Sequence, residues 1–118
     1  MDLSDIETCY NRQKECIKEL RDREDQLAVA RDELRTHVKK EKQILAQIRT
    51  AERQKQEGTK DEIDDRALQN PYWDAYLAEL SKLHLNVSMF EACKEELNKQ
   101  YKTRQQYLSY MKTQMTML

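Results

Sequence analysis

Apolar residues recur at heptad spacing on both sides of a break near residues 57–73. With Leu3 as position a, the a and d positions of the first segment are apolar in most layers up to Ile48. From Trp73 onward the a and d stripe is more regular, and its last member is Leu118. A heptad held over this length is typical of coiled-coil helices. The pattern therefore predicts two long helices.

The break between the segments carries the chemical marks of helix ends. It holds the only glycine and the only proline of the chain, Gly58 and Pro71. Asn70 suits an N-cap before Pro71, and Gly58 suits the residue after a helix end. Ser4 to Glu7 and Thr59 to Glu62 fit capping boxes. These marks predict a helix over about 4–57, a connector over about 58–70 with a short helix near 60–68, and a helix over about 71–117.

Two helices of nearly equal length joined by a short connector predict one all-α domain over residues 1–118, a long antiparallel two-helix hairpin of the coiled-coil type. If residue 57 lies near residue 71, facing positions have numbers that sum to about 128. Leu27 then faces Tyr101. Glu24 faces Arg104, an opposite-charge pair that we expect to fix the register, since a buried like-charge or unpaired charge is costly.

Three seam charges have no opposite partner in that register. Arg31 faces Leu97, Glu41 faces Val87 and Lys94 faces Leu34. The charged ends of these long side chains either extend out of the seam into solvent or pair with residues of another chain. A lone hairpin also leaves apolar residues outside its seam, so the sequence favours a dimer or membership of a larger helical bundle. A piece of a longer filament coiled coil is a further alternative.

Composition agrees with an extended helical protein. Charged residues make up 36% of the chain and hydrophobic residues 38%, and the mean hydropathy is -1.04. The net charge of -1 provides no global attraction to nucleic acid or membranes. Three widely spaced cysteines do not suggest a disulfide framework. The acidic start lacks the apolar run of a signal peptide, and no run is long enough to span a membrane, so we expect a cytoplasmic protein.

Enzymatic chemistry has little support in the sequence. There is no glycine-rich phosphate loop and no nucleophile elbow. His37 and Glu41 are four residues apart, as metal ligands on one helix face can be, but the predicted register leaves His84 on the order of 10 Å away along the helix axis. We expect no catalysis, no cofactor and no metal.

Two groups of residues are candidates for contacting partners. Tyr72, Trp73 and Tyr76 cluster at the bend, where they either close the end of the seam or form an aromatic hot spot for a protein. The second group interleaves bases with tyrosines near the C-terminus, a mixture that can bind nucleic acid. Its members are Lys99, Lys102, Tyr107 and Tyr110.

The sequence thus predicts a non-enzymatic coiled-coil interaction protein, a scaffold, adaptor or assembly subunit that joins a homodimer or a hetero-complex of helices. The alternative is a small nucleic-acid-associated regulator that uses the basic, Tyr-containing C-terminal segment.

Overall fold

A computed structural model describes residues 3–117 as four helices. Asp2 and Leu118, to which the sequence assigned a place in the acidic start and in the heptad, lie outside the described residues. The helices are α1 (Leu3–Lys39), α2 (Glu41–Lys55), α3 (Lys60–Leu68) and α4 (Pro71–Met117). The described residues form α-helices and no strands, which confirms the predicted all-α fold class.

The contacts divide the chain into two compact units. The terminal unit comprises residues 1–28 and 88–118, and the central unit comprises residues 29–87. Helices α1 and α4 contribute residues to both. The prediction of a single domain stays a prediction, and each unit is described by itself.

Helix α4 buries the stripe that its heptad predicts. In the terminal unit Leu108 and Met111 are buried, and in the central unit Trp73, Tyr76 and Leu83 are buried. All five are a or d positions. The remaining a and d residues of α4 before Met115 are half-buried. The predicted stripe of the second segment is therefore confirmed up to Met111.

Helix α1 buries a different stripe from the predicted one. Its buried residues are Gln13, Cys16, Leu27 and Ala30, which are d and g positions, whereas Ile17 at position a is exposed. The physical reason is the charge at position a. An a/d seam would enclose Glu24 and Arg31, and burying charges costs several kcal/mol unless each is well paired. The g positions offer Cys16 and Ala30 instead, which are small and uncharged.

The predicted register is wrong in the terminal unit. Tyr101 was expected to face Leu27, but its carbonyl accepts a 2.9 Å hydrogen bond from the Gln13 amide, two heptads earlier. The Cys16 thiol likewise donates to the Leu97 carbonyl at 3.4 Å.

The predicted register pair is also replaced. The Glu24 carboxylate lies 3.5 Å from the Lys94 ammonium instead of facing Arg104. Arg104 borders a small cleft with Glu15 and Glu19. One of the three charges that the predicted register left unmatched, Lys94, thus finds its partner in the observed one.

The first long helix is broken at Lys40. Helix α1 ends at Lys39 and α2 begins at Glu41, and the Lys40 amide donates to the His37 carbonyl at 3.1 Å, a one-turn contact tighter than the α-helical spacing. The 15 residues of α2, about two heptads, pack with α3 and the start of α4 in the central unit. The predicted register had counted these residues as part of the seam with α4. It therefore places each α1 residue two heptads away from its observed partner on α4.

The predicted starts of α3 and α4 are confirmed by their caps. Thr59 caps α3 by accepting from the Glu62 amide at 3.3 Å, and Asn70 caps α4 by accepting from the Tyr72 amide at 2.9 Å. However, α2 already ends at Lys55, and Gly58 does not have the left-handed backbone expected after a helix end. Ser4, predicted as a cap, lies inside α1.

Candidate functional site

The central unit is built on a small apolar core between α2, α3 and α4. Ile48, Ala67, Trp73 and Tyr76 are buried together. The Trp73 and Tyr76 rings stack with their centroids 5.1 Å apart. Fully burying one large apolar side chain contributes about 2 to 3 kcal/mol, so this cluster fixes the three helices against each other.

His37, near the end of α1, is tied to the same core by Tyr76. The two rings stack at 4.3 Å between centroids, and the Tyr76 hydroxyl donates to the His37 carbonyl at 3.0 Å. Burial raises the pKa of the Tyr76 phenol above its ordinary value, and the negative charge of Glu41 adds to the rise. The Tyr76 phenol therefore stays protonated and remains a hydrogen-bond donor at neutral pH.

A polar network closes the other end of the core. The buried Asn70 amide donates to the Glu52 carboxylate at 2.7 Å, and Lys55 and Arg66 lie within 3.8 Å of the same carboxylate. Arg66 also donates to the Gln56 carbonyl at 2.7 Å. Because Glu52 belongs to α2, Arg66 to α3 and Asn70 caps α4, a single carboxylate links three helices.

This scaffold supports an open apolar groove along α2 and α4. Its volume is about 680 Å³, and it is lined by Ile44, Ile48 and Ala51 on α2 and by Tyr72, Ala75 and Tyr76 on α4. The two alanines leave the groove deep, since larger side chains there would fill it. A volume in this range suits a small molecule or a few side chains of a partner.

The groove carries opposite charges at its two ends. Lys55 and Asn70 border one end, and His37 and Glu79 border the other. At about 1.5 Å per residue, the α2 side of the groove, from Ile44 to Lys55, is roughly 16 Å long. The groove is thus an apolar channel about three helical turns in length with a cation at one end and an anion at the other.

The three aromatic residues predicted as one cluster divide into two roles. Trp73 and Tyr76 are 7% and 5% exposed and belong to the core, as the alternative in which they close the end of the seam expects. Tyr72 is 77% exposed at the rim of the groove. Of the three, Tyr72 alone presents most of its surface to a partner.

The residues predicted near the C-terminus lie on α4 in the terminal unit. Lys99 and Lys102 are exposed, and Tyr107 and Tyr110 are each about half exposed. The neighbouring Lys112 ammonium lies 5.3 Å from the centre of the Tyr10 ring, so this basic residue of the segment already makes a cation–π contact. None of these four residues borders the groove of the central unit.

Groups of three or more His, Cys, Asp or Glu side chains that could hold a metal ion do not occur within residues 3–117. One ring nitrogen of His37, Nε2, lies 3.1 Å from the Tyr76 carbonyl, to which it donates a hydrogen bond. The three cysteines are free, and Cys16 is buried while Cys93 is exposed.

The groove itself was missed by sequence reasoning. A signal was present, because a stripe of g and d positions with helical spacing adjoins the predicted a/d stripe. Its members are Ile44, Ile48, Ala51 and Lys55. That second stripe became visible as a surface only once α2 was separated from α1.

Comparison with known proteins gave no similarity to build on. Neither a protein-family model, nor a curated protein, nor a solved structure matches this chain. Over the described residues, no helix combines the length and the apolar character needed to cross a membrane.

Proposed function

We propose that this protein is a non-enzymatic interaction module that binds helices of partner proteins and acts as a scaffold, adaptor or assembly subunit. The observation that supports it is the open apolar groove of the central unit. A helix-in-groove contact seats the apolar face of a partner helix in an apolar groove, and tyrosine side chains are enriched at binding hot spots. The groove along α2 and α4 and the exposed Tyr72 supply both.

The groove is held in shape before any partner arrives. The stacked rings of His37, Tyr76 and Trp73 support its floor, and the Glu52 network ties its two walls at one end. A preorganised surface spends little binding free energy on ordering itself, which favours specific association. We place this activity in the cytoplasm, where reduced Cys93 would remain a thiol.

Site-specific photo-crosslinking tests the proposal. A photoreactive phenylalanine analogue replaces Tyr72, and adducts formed in cells are identified by mass spectrometry. The matched control is Ser81, which is exposed on the same helix and, nine residues later, points to the opposite face at 3.6 residues per turn. We expect protein adducts at Tyr72 that are absent at Ser81 and are lost when Ala51→Arg fills the groove.

Equal crosslinking at the two positions, or crosslinking that survives Ala51→Arg, would overturn the proposal. The nucleic-acid alternative has its own measurement. Binding of a random oligonucleotide at low salt that weakens steeply as salt rises would favour it. Loss of that binding in a Lys99→Glu, Lys102→Glu variant would assign it to the exposed bases of α4.

A further inference from the structure

We infer that the groove of the central unit binds the same groove of a second copy of this chain, in a two-fold symmetric dimer. This inference rests on the proposed function and names the partner. It follows from the distribution of charge, shape and small residues along one surface.

The charges at the groove ends are self-complementary. Lys55 borders one end and Glu79 the other. A two-fold axis across the middle of the groove, near Ala75, reverses the second copy end for end. Each Lys55 then meets a Glu79, and the pair is made twice, as symmetry requires of an isologous contact. The same axis would oppose like charges if both ends carried the same sign.

The shape of the groove is also self-complementary. Tyr72 projects from the rim with 77% of its surface exposed. Ala75, near the middle of the groove, has a small side chain that leaves space beside it. In the two-fold arrangement each Tyr72 lies over the half of the partner groove that Tyr76 and Glu79 border. One surface therefore carries both a projecting aromatic ring and the space that accepts it.

The polar groups at the groove ends are compatible with such a contact. The Asn70 amide and the Glu52 carboxylate already satisfy one another at 2.7 Å. Lys55 lies 3.8 Å from Glu52 but keeps 68% of its side chain exposed, so it can reach a second carboxylate. Glu79 is exposed, with Lys40 bordering the same small cleft.

Analytical ultracentrifugation of charge-reversed variants of the full chain tests the inference. We expect the unaltered protein to dimerise below about 100 µM. Lys55→Glu alone and Glu79→Lys alone should each raise the dimer dissociation constant about tenfold, because two attractive pairs become repulsive. An equal mixture of the two variants should recover dimers, since the mixed dimer places Lys55 against Glu79 once and the exchanged pair once.

The second variant pair examines the groove floor. Ala75→Arg fills the centre of the groove and should raise the dissociation constant at least tenfold, whereas Ser81→Arg on the opposite face of α4 should leave it unchanged. Circular dichroism verifies that each variant keeps the helix content of the parent. A protein that stays monomeric at about 100 µM, a mixture that fails to recover dimers, or equal effects of the two arginines would each overturn the inference.

Failure of the dimer is distinguishable from failure of the interaction function. A monomeric protein whose position 72 still captures a different protein, in a manner sensitive to Ala51→Arg, would reject self-association and leave the proposed function standing. Absence of any such capture would reject both.

Discussion

Tyr76 and His37 exchange hydrogen bonds in both directions between side chain and backbone. The Tyr76 hydroxyl donates to the His37 carbonyl at 3.0 Å, and His37 Nε2 lies 3.1 Å from the Tyr76 carbonyl. The two rings also stack, with an interplanar angle of 15°. Since the His37 carbonyl lies in the last turn of α1, next to the break at Lys40, this pair holds the end of α1 against α4.

Removing the hydroxyl should loosen that end. We expect Tyr76→Phe to lower the free energy of unfolding by about 1 to 2 kcal/mol, because the ring still packs but a hydrogen bond in a largely buried site is lost. Urea denaturation followed by circular dichroism measures the change. Tyr72→Phe is the matched control, since that tyrosine is exposed and should shift stability by less than about 0.5 kcal/mol. Equal losses in the two variants would contradict the role given to the Tyr76 hydroxyl.

The raised pKa of Tyr76 predicts sensitivity to alkali. The folded protein holds the phenol proton more tightly than the unfolded chain does, because burial and the charge of Glu41 disfavour the phenolate. Stability from this group is therefore complete below the unfolded pKa of about 10 and is lost as pH rises through and above that value. Urea midpoints measured from about pH 8 to 11 should fall more steeply for the parent than for Tyr76→Phe. Parallel curves would contradict the prediction.

Asn70 combines two roles that two substitutions separate. Its carbonyl oxygen caps α4 and its amide donates to the Glu52 carboxylate. Asn70→Ser keeps a capping oxygen but removes the side-chain amide that donates to Glu52, and should cost about 1 to 3 kcal/mol because a buried carboxylate loses that partner. Asn70→Ala loses the cap as well and should cost about 1 kcal/mol more. Thermal unfolding compares the three proteins, and equal stabilities of the serine and alanine variants would exclude the capping role.

The observed register of the terminal unit predicts a specific chemical cross-link. The Glu24 carboxylate and the Lys94 ammonium are 3.5 Å apart. A carbodiimide, which joins carboxylates to amines without a spacer, should link Glu24 to Lys94. Peptide mapping by mass spectrometry identifies the product, and Lys94→Arg, which keeps the charge but does not react, provides the control. The register expected from the sequence places Lys94 beside residue 34, so a link from Lys94 to Glu33 would support that register instead.

The backbone conformation at position 58 does not require a glycine. No described glycine has a positive φ, and a Cβ at Gly58 would come 2.7 Å from the end of the Glu62 side chain, which is flexible and can move. Gly58→Ala restricts the unfolded chain, which alone stabilises by about 0.4 to 1 kcal/mol. We expect the melting temperature to stay the same or rise. A loss above about 1 kcal/mol would indicate the left-handed helix end that the sequence suggested.

Much of this fold was accessible from the sequence where local chemistry determines structure. The limits of α3 and α4 were predicted because Thr59, Asn70 and Pro71 act through their immediate neighbours. The stripe of α4 was predicted because few charges interrupt its heptad. These signals operate within one helix and need no knowledge of what packs against it.

The register could not be predicted because it depends on contacts between distant segments. A displacement of two heptads leaves every residue of α4 on the same face, so the apolar pattern of α4 fits both registers equally. No glycine or proline lies near Lys40 to predict the break there. The available warning was that the predicted register placed Arg31, Glu41 and Lys94 opposite apolar residues, and Lys94 proved to pair with Glu24.

The candidate site was predicted only in part for the same reason. Tyr72, Trp73 and Tyr76 were identified together by composition, but their exposures were set by how α2 and α3 cover one side of α4. The groove joins residues from α2 and α4 that no local motif connects. The sequence pattern therefore identifies the aromatic residues but not the groove that Tyr72 and Tyr76 border.

Trp73 is the only tryptophan of the chain and lies in the core of the central unit, stacked on Tyr76. Its fluorescence is therefore a built-in optical probe for that unit alone, while far-ultraviolet circular dichroism records the helices of both. Denaturation curves from the two signals would coincide if the whole chain melts as one cooperative block. Curves that separate would show that the groove-bearing region melts at its own midpoint.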